Sequence, residues 1–198
     1  GIGQDKAQLM ATGFYIAMTT SQLVCAWLIF SIGHYFTFII SIIFFALACF
    51  LAAFAEDFGA IILARIIQGV SAGILMSQTM IAIVQAYPAA RRGFALAMFT
   101  GGGILAIGVG PLLGGIVIEA LSWRHIFLIP LPLLFFAFLT GIFVMPKSRR
   151  KEKPRFDWYG FILLIVFLYC IMTIFSDGQR QGWVSDKIIA LAVIGVIS

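Results

Sequence analysis

Residues 7–55 read AQLMATGFYIAMTTSQLVCAWLIFSIGHYFTFIISIIFFALACFLAAFA, and none of them carries a formal charge. Wound as one helix, this run would be roughly 70 Å long at about 1.5 Å per residue. That is more than twice the roughly 30 Å thickness of a bilayer's hydrocarbon core. The run must therefore turn back on itself. The break falls in FSIGHYF (residues 30–36), at Gly33 and His34, and predicts spans over 7–29 and 36–54.

The rest of the chain reads outward from that pair. Glu56 and Asp57 mark the next turn, and a third span over 59–86 ends before Pro88 and the pair Arg91–Arg92. A fourth span over 94–118 is closed by Glu119, and a fifth over 125–145 by Pro146. A basic linker, PKSRRKEKPRF (146–156), leads to a sixth span over 158–176 and a seventh, cut short, over 187–198. Composition agrees: 62% of the 198 residues are hydrophobic and 11% charged, against roughly 45–50% and about 25% in a soluble domain. Only helices and closed barrels satisfy the backbone in lipid. The short alternating strands of a barrel are missing from the sequence, so the fold class is an all-α membrane protein, a polytopic helical bundle. The chain divides into residues 1–145 with five spans, the linker 146–156, and two further helices in 157–198. It begins without Met and stops within an apolar run, which reads as a fragment of a longer protein.

Charge gives the orientation. The turns at 30–36, 86–93 and 146–156 hold none, two and six Lys or Arg; the opposite side holds four, Lys6, Arg124, Arg180 and Lys187. Basic loops favour the cytoplasm, so residues 146–156 are expected there, in a multi-pass protein of the cell membrane. The net charge of +5 lies in loops and not along one face, which argues against nucleic acid as a partner. Cys25, Cys49 and Cys170 sit inside apolar runs with no metal or disulfide spacing, so no metal or other cofactor is expected.

Glycine and proline take five of the eight positions in GVGPLLGG (108–115). Gly102, Ala106, Gly110 and Gly114 recur every fourth residue and form one ridge. Small residues let membrane helices approach closely, and Pro111 removes the hydrogen bond to the carbonyl of Ile107 and favours a kink. A bent helix pressed against another helix is the expectation. Two enzyme-like patterns fail on context. GVSAG (69–73) would need a strand-to-helix turn and triad partners. GGGILA (101–106) would need a preceding strand and a following acid. No enzyme is expected.

All eight acids lie in loops or at span ends, and the only charge well inside a span is Arg65, about 10 Å from Phe58 along the helix. An intramembrane charge is a functional candidate by default; the alternative is an anchor snorkelling to the interface. Arg65, Gln68, Ala72, Met76 and Thr79 share one helical face, and Thr12, Tyr15, Thr19 and Gln22 form a similar stripe on the first span. The two stripes predict a wet central cavity, with helix-to-helix hydrogen bonding as the alternative.

With these motifs in place, ARIIQGVSAG (64–73) and the long run from AYPAARRG (86–93) to LIPLPL (128–133) resemble the major facilitator superfamily, and more narrowly its fourteen-helix drug:proton antiporters. The R-x-x-Q-G pattern stands as Arg65, Gln68 and Gly69. The antiporter motif G-P-x-x-G-G stands as Gly110, Pro111, Gly114 and Gly115. SWRHIF (122–127) matches the family's W-R-x-x-F, and FDWYGFILL (156–164) with GQRQGW (178–183) is similar to the two additional central helices of that subfamily. The resemblance implies an incomplete N-terminal half of a major facilitator fold plus the central helices, with the first helix, which often carries an acid, and the C-terminal half lying elsewhere in the same protein. It implies alternating access, export of amphipathic drugs or other small molecules in exchange for protons, Arg65 and Gln68 in proton coupling, and a gating helix of Gly102, Gly110, Pro111, Gly114 and Gly115. One turn departs from the pattern: Phe30 and Ser31 replace the family's Asp–Arg pair, and His34 and Phe36 stand where bases are expected. That departure leaves a second reading, a non-transporting scaffold or divergent pseudo-transporter.

Overall fold

The computed structural model describes residues 4–145, 156–181 and 186–197, and among them it holds helices and no strand. The helices are α1 (Gln4–Ile32), α2 (His34–Ala53), α3 (Phe58–Ala86), α4 (Ala89–Ala120), α5 (Pro130–Val144), α6 (Trp158–Gln181) and α7 (Asp186–Ile197), with a 3-10 helix at Trp123–Phe127 before α5. Among the described residues, six helical segments are long and apolar enough to cross a membrane. Most of the basic linker, residues 146–155, lies outside the described residues.

The helix boundaries follow local chemistry. Asp57 caps α3, its carboxylate accepting from the Ala60 N–H at 2.6 Å, and Asp157 accepts from the Gly160 N–H at 3.0 Å. Each side chain satisfies one of the donors that a helix N-terminus leaves unpaired. Ser122 does the same for the 3-10 helix, accepting from the Arg124 N–H at 3.2 Å. The expected fifth span, 125–145, is divided: its first residues form the 3-10 helix, and the α-helix starts with Pro130 in its first turn. Proline suits that position because the missing N–H would be unpaired there anyway. α4 stays helical through Pro111.

The turn at residue 33 is a single residue. α1 ends at Ile32 and α2 begins at His34, with Gly33 at φ 89° and ψ 161°. Backbone of this kind is close to glycine-only, because a Cβ would clash with its own peptide groups. Two bonds hold the corner: the Thr37 hydroxyl donates to the Gly33 carbonyl at 2.8 Å, and the Gln78 amide of α3 donates to the His34 carbonyl at 2.6 Å. Gly33→Ala is therefore expected to cost about 1–3 kcal/mol. A drop in the Tm of the purified protein in detergent would report it, and an unchanged Tm would show that the corner is unstrained.

α3 is the centre of the described bundle. It packs most extensively against α1 and next against α2; α5 covers another side of α2, α6 lies beside α1, and α7 packs on α6. The α1–α3 seam is very close. A Cβ on Gly69 would overlap the Phe14 carbonyl oxygen and sit 3.0 Å from the Ala17 Cβ. A Cβ on Gly73 would overlap the Met18 carbonyl oxygen and the Ser21 Oγ. Gly13 lies opposite Ile66 in the same seam. Gly13, Ala17 and Ser21 thus form a small-residue ridge at four-residue spacing, meeting Gly69 and Gly73 as the two helices rise in parallel. Lipid supplies no hydrophobic drive to join helices, so this van der Waals fit is what associates them.

α4 has none of that cover. It makes its main contacts with α3 and the 3-10 helix, and none of its residues is buried. A Cβ built on Gly102, Gly110, Gly114 or Gly115 would meet nothing within 4 Å. The conspicuous glycine ridge therefore has no partner among the described residues, and the close glycine packing lies in GVSAG instead.

Candidate functional site

The site centres on Arg65, two turns into α3. Its guanidinium donates to the Gln68 side-chain oxygen at 3.3 Å, and the Gln68 amide in turn reaches the Cys49 sulfur of α2 at 3.3 Å. Gln68 is buried, at 3% exposure. The carbon at the centre of the guanidinium lies 5.2 Å from the centroid of the Phe14 ring of α1 and 5.5 Å from that of Phe127 in the 3-10 helix. The charge is thus met by two π faces and one amide, with no carboxylate among the described residues. A cation over a desolvated aromatic ring gains about 2 kcal/mol or more, so two rings together are of the same size as the roughly 2.5–3.5 kcal/mol cost of placing an arginine at the centre of a membrane helix. Arg65 Nε is buried without a hydrogen-bond partner.

The 3-10 helix is itself fixed to the bundle. Arg124 donates to the Ala55 carbonyl at 3.3 Å and lies 4.6 Å from the centroid of the Trp123 ring. On the same end of the bundle, Lys6 lies 5.2 Å from the centroid of the Phe58 ring. W-R-x-x-F therefore acts as a bracket, with Arg124 holding the α2–α3 corner and Phe127 reaching Arg65.

Of the other residues singled out in the sequence, Tyr15 stands near enough to Arg65 to interact with it electrostatically, and the rest are dispersed. Thr12 lines an apolar groove of about 610 Å³ between α1, α3 and α6, in company with Ile66, Val70, Phe161 and Tyr169. Tyr15, Thr19, Gln22, Met76 and Thr79 do not line that groove. Tyr15 and Met76 are exposed, Thr19 and Gln22 are half-buried, and the Thr79 hydroxyl donates to the Leu75 carbonyl of its own helix at 2.7 Å. The face of α3 shared by Arg65 and Gln68 is split, because Gln68 turns into the α2 interface. Gly102, Gly110, Pro111, Gly114 and Gly115 lie together on α4, away from Arg65's partners.

Two residues of consequence, Gln78 and Phe14, escape the sequence reading, and a third, Phe127, is marked there only as the last position of W-R-x-x-F. Gln78, fully buried, binds the His34 carbonyl; a lone amide in an apolar run gives no hint of its partner. Phe14 sits beside the more conspicuous Tyr15, and the W-R-x-x-F motif does not say what the Phe127 ring meets. Only the pairing with Arg65 gives each ring its role, and that pairing is long-range.

Among the described residues, six apolar segments long enough to cross a membrane, with the most extensive packing on α3, define a polytopic helical membrane protein. The chain belongs to the Major Facilitator Superfamily, whose sequence model matches residues 1–198. It is 30% identical over 200 residues to the multidrug export protein EmrB of Haemophilus influenzae, covering 100% of this chain and 39% of that protein. It is 31% identical over 192 residues to the lincomycin resistance protein LmrB of Bacillus subtilis, covering 96% of this chain and 40% of the relative. EmrB of Escherichia coli is 30% identical over 200 residues, with 100% of this chain and 39% of that protein covered. The chain thus spans about two fifths of the length of these relatives.

Proposed function

We propose that this chain is part of a secondary transporter that exports amphipathic small molecules across the cytoplasmic membrane in exchange for protons, with residues 146–156 on the cytoplasmic side. The observation that carries the proposal is Arg65: a charge within a membrane span, in an R-x-x-Q-G pattern, bonded to Gln68 and lacking a carboxylate among the described residues. Such a charge is ready to answer an acid elsewhere in the protein as that acid gains and loses its proton. The names of the relatives, two multidrug exporters and a lincomycin resistance protein, support drug-like substrates. The bare glycine ridge of α4 supports a gating helix: Gly102, Gly110, Pro111, Gly114 and Gly115 offer the remainder of a relative-length chain a surface on which a helix can sit close and still slide. Thr12, Tyr15, Thr19, Gln22, Met76 and Thr79 complete the lining of the pathway in that assembly.

The test is flux through the full-length protein reconstituted in proteoliposomes, with several lipophilic cations and with or without a pH gradient. Gradient-dependent export of at least one of them is the expected result; no gradient-dependent flux of any counts against the assignment. That failure would favour the scaffold reading, which has its own observation. The turn that carries an Asp–Arg latch in the family is here a buried corner, with Ser31 and His34 covered and the Ser31 hydroxyl unpaired.

A further inference from the structure

We propose that Phe14 and Phe127 form an aromatic clasp that positions Arg65, with Phe127 delivered to the guanidinium by the bracket of Trp123–Phe127. The inference deepens the role given to Arg65 above and rests on that reading for its functional consequence, though not for its geometry. Two rings from separate elements, α1 and the 3-10 helix, lie 5.2 and 5.5 Å from the same guanidinium carbon. Among the described residues that guanidinium makes one hydrogen bond, to Gln68 on its own helix. Tyr15 of α1 and Cys49 of α2 also interact electrostatically with the charge, but no hydrogen bond among the described residues reaches it from a neighbouring helix, so the rings fix where the charge sits.

The physical distinction lies in how the charge is held. A carboxylate partner would occupy the N–H donors of Arg65 and would itself have to be displaced before any other acid could pair. A π face attracts the cation through its quadrupole and takes up none of those donors. The clasp thus keeps the charge in place while leaving Nε, buried and unpaired, open to an acceptor. The bracket adds a positional condition. Arg124 ties the 3-10 helix to the Ala55 carbonyl, so Phe127 reaches Arg65 only while the α4–α5 connection is seated on the α2–α3 corner. Motion of α4 or α5 that unseats the connection removes one of the two rings and loosens the arginine.

Fluorination tests the clasp, because it weakens the ring quadrupole stepwise with little change of shape. Mono-, di- and trifluorophenylalanine are placed at position 127 of the full-length protein, in an Arg65 and an Arg65→Met background, and Tm is read in detergent. The expected result is a Tm that falls with each fluorine when Arg65 is present and stays level in Arg65→Met. Level values in both backgrounds, or the same decline in both, would overturn the clasp. In transport, Phe127→Leu is expected to lower the maximal rate at an unchanged KM, and Phe127→Tyr, which keeps the ring, to restore it; equal rates for the two variants would contradict positioning. Retained transport by Arg65→Ala would defeat the coupling role of Arg65, while the Tm slopes decide the clasp independently.

Discussion

Gly73→Val is expected to prevent assembly of the bundle. A side chain there would run into the Met18 carbonyl oxygen and the Ser21 Oγ, with the Met18 carbonyl carbon at 2.9 Å from the new Cβ. Two of those three atoms belong to the backbone of α1 and cannot rotate aside, so α1 must back away along the seam. Overpacking alone costs about 1–3 kcal/mol in a soluble core. Here the displacement also strips contacts from Gly13, Ala17 and Gly69, in the seam that holds the two most extensively packed helices together. Size-exclusion of the detergent-purified protein would show loss of the monodisperse peak and faster proteolysis. The control is Gly110→Val, where the added Cβ meets nothing within 4 Å among the described residues. It is expected to purify normally and, if α4 gates against the rest of the protein, to lose transport. A monodisperse Gly73→Val with unchanged Tm would show that the seam is looser than the structure has it.

Arg65→Ala carries the second large effect. Removing the guanidinium leaves Gln68 without its donor and the rings of Phe14 and Phe127 without their cation, yet it also removes a charge that is expensive in lipid. Those two contributions oppose each other, so stability and expression are expected to persist. Transport is expected to fall to the level of protein-free vesicles, because the loss is of the charge itself. Arg65→Lys is expected to recover only part of the rate: an ammonium keeps the charge but has no planar fork to hold Gln68 while facing two rings. Full transport by Arg65→Ala would reduce the residue to an anchor at the bilayer edge.

Most of the architecture was legible in the residues. The uncharged run 7–55 is too long for one crossing, and Gly33 was the available break; the structure turns there through a backbone conformation that suits glycine. The membrane helices announce themselves because lipid permits few alternatives to an apolar helix. Which surfaces meet was harder to read. Glycines abound on α4, and their number with Pro111 makes that helix conspicuous, but nothing among the described residues packs closely on them. GVSAG looked like a failed nucleophile motif, while its Gly69-x-x-x-Gly73 spacing, matched by Gly13, Ala17 and Ser21, was the available signal for the tightest seam. The site divides in the same way. Arg65 and Gln68 stood out because charge and amide are rare at that depth. Phe14 and Gln78 did not, and W-R-x-x-F marked Phe127 without its partner, because an aromatic or an amide acquires its role only from a partner 44 to 62 positions away.

The most direct test of Arg65 as the coupling charge is proton counterflow. A pH-sensing dye is enclosed in proteoliposomes bearing the full-length protein, and a transported lipophilic cation is added outside. The account predicts that substrate entry drives protons out and raises the internal pH for the unaltered protein, and that Arg65→Ala still binds the cation but leaves the internal pH unchanged. An undiminished proton signal from Arg65→Ala would contradict it.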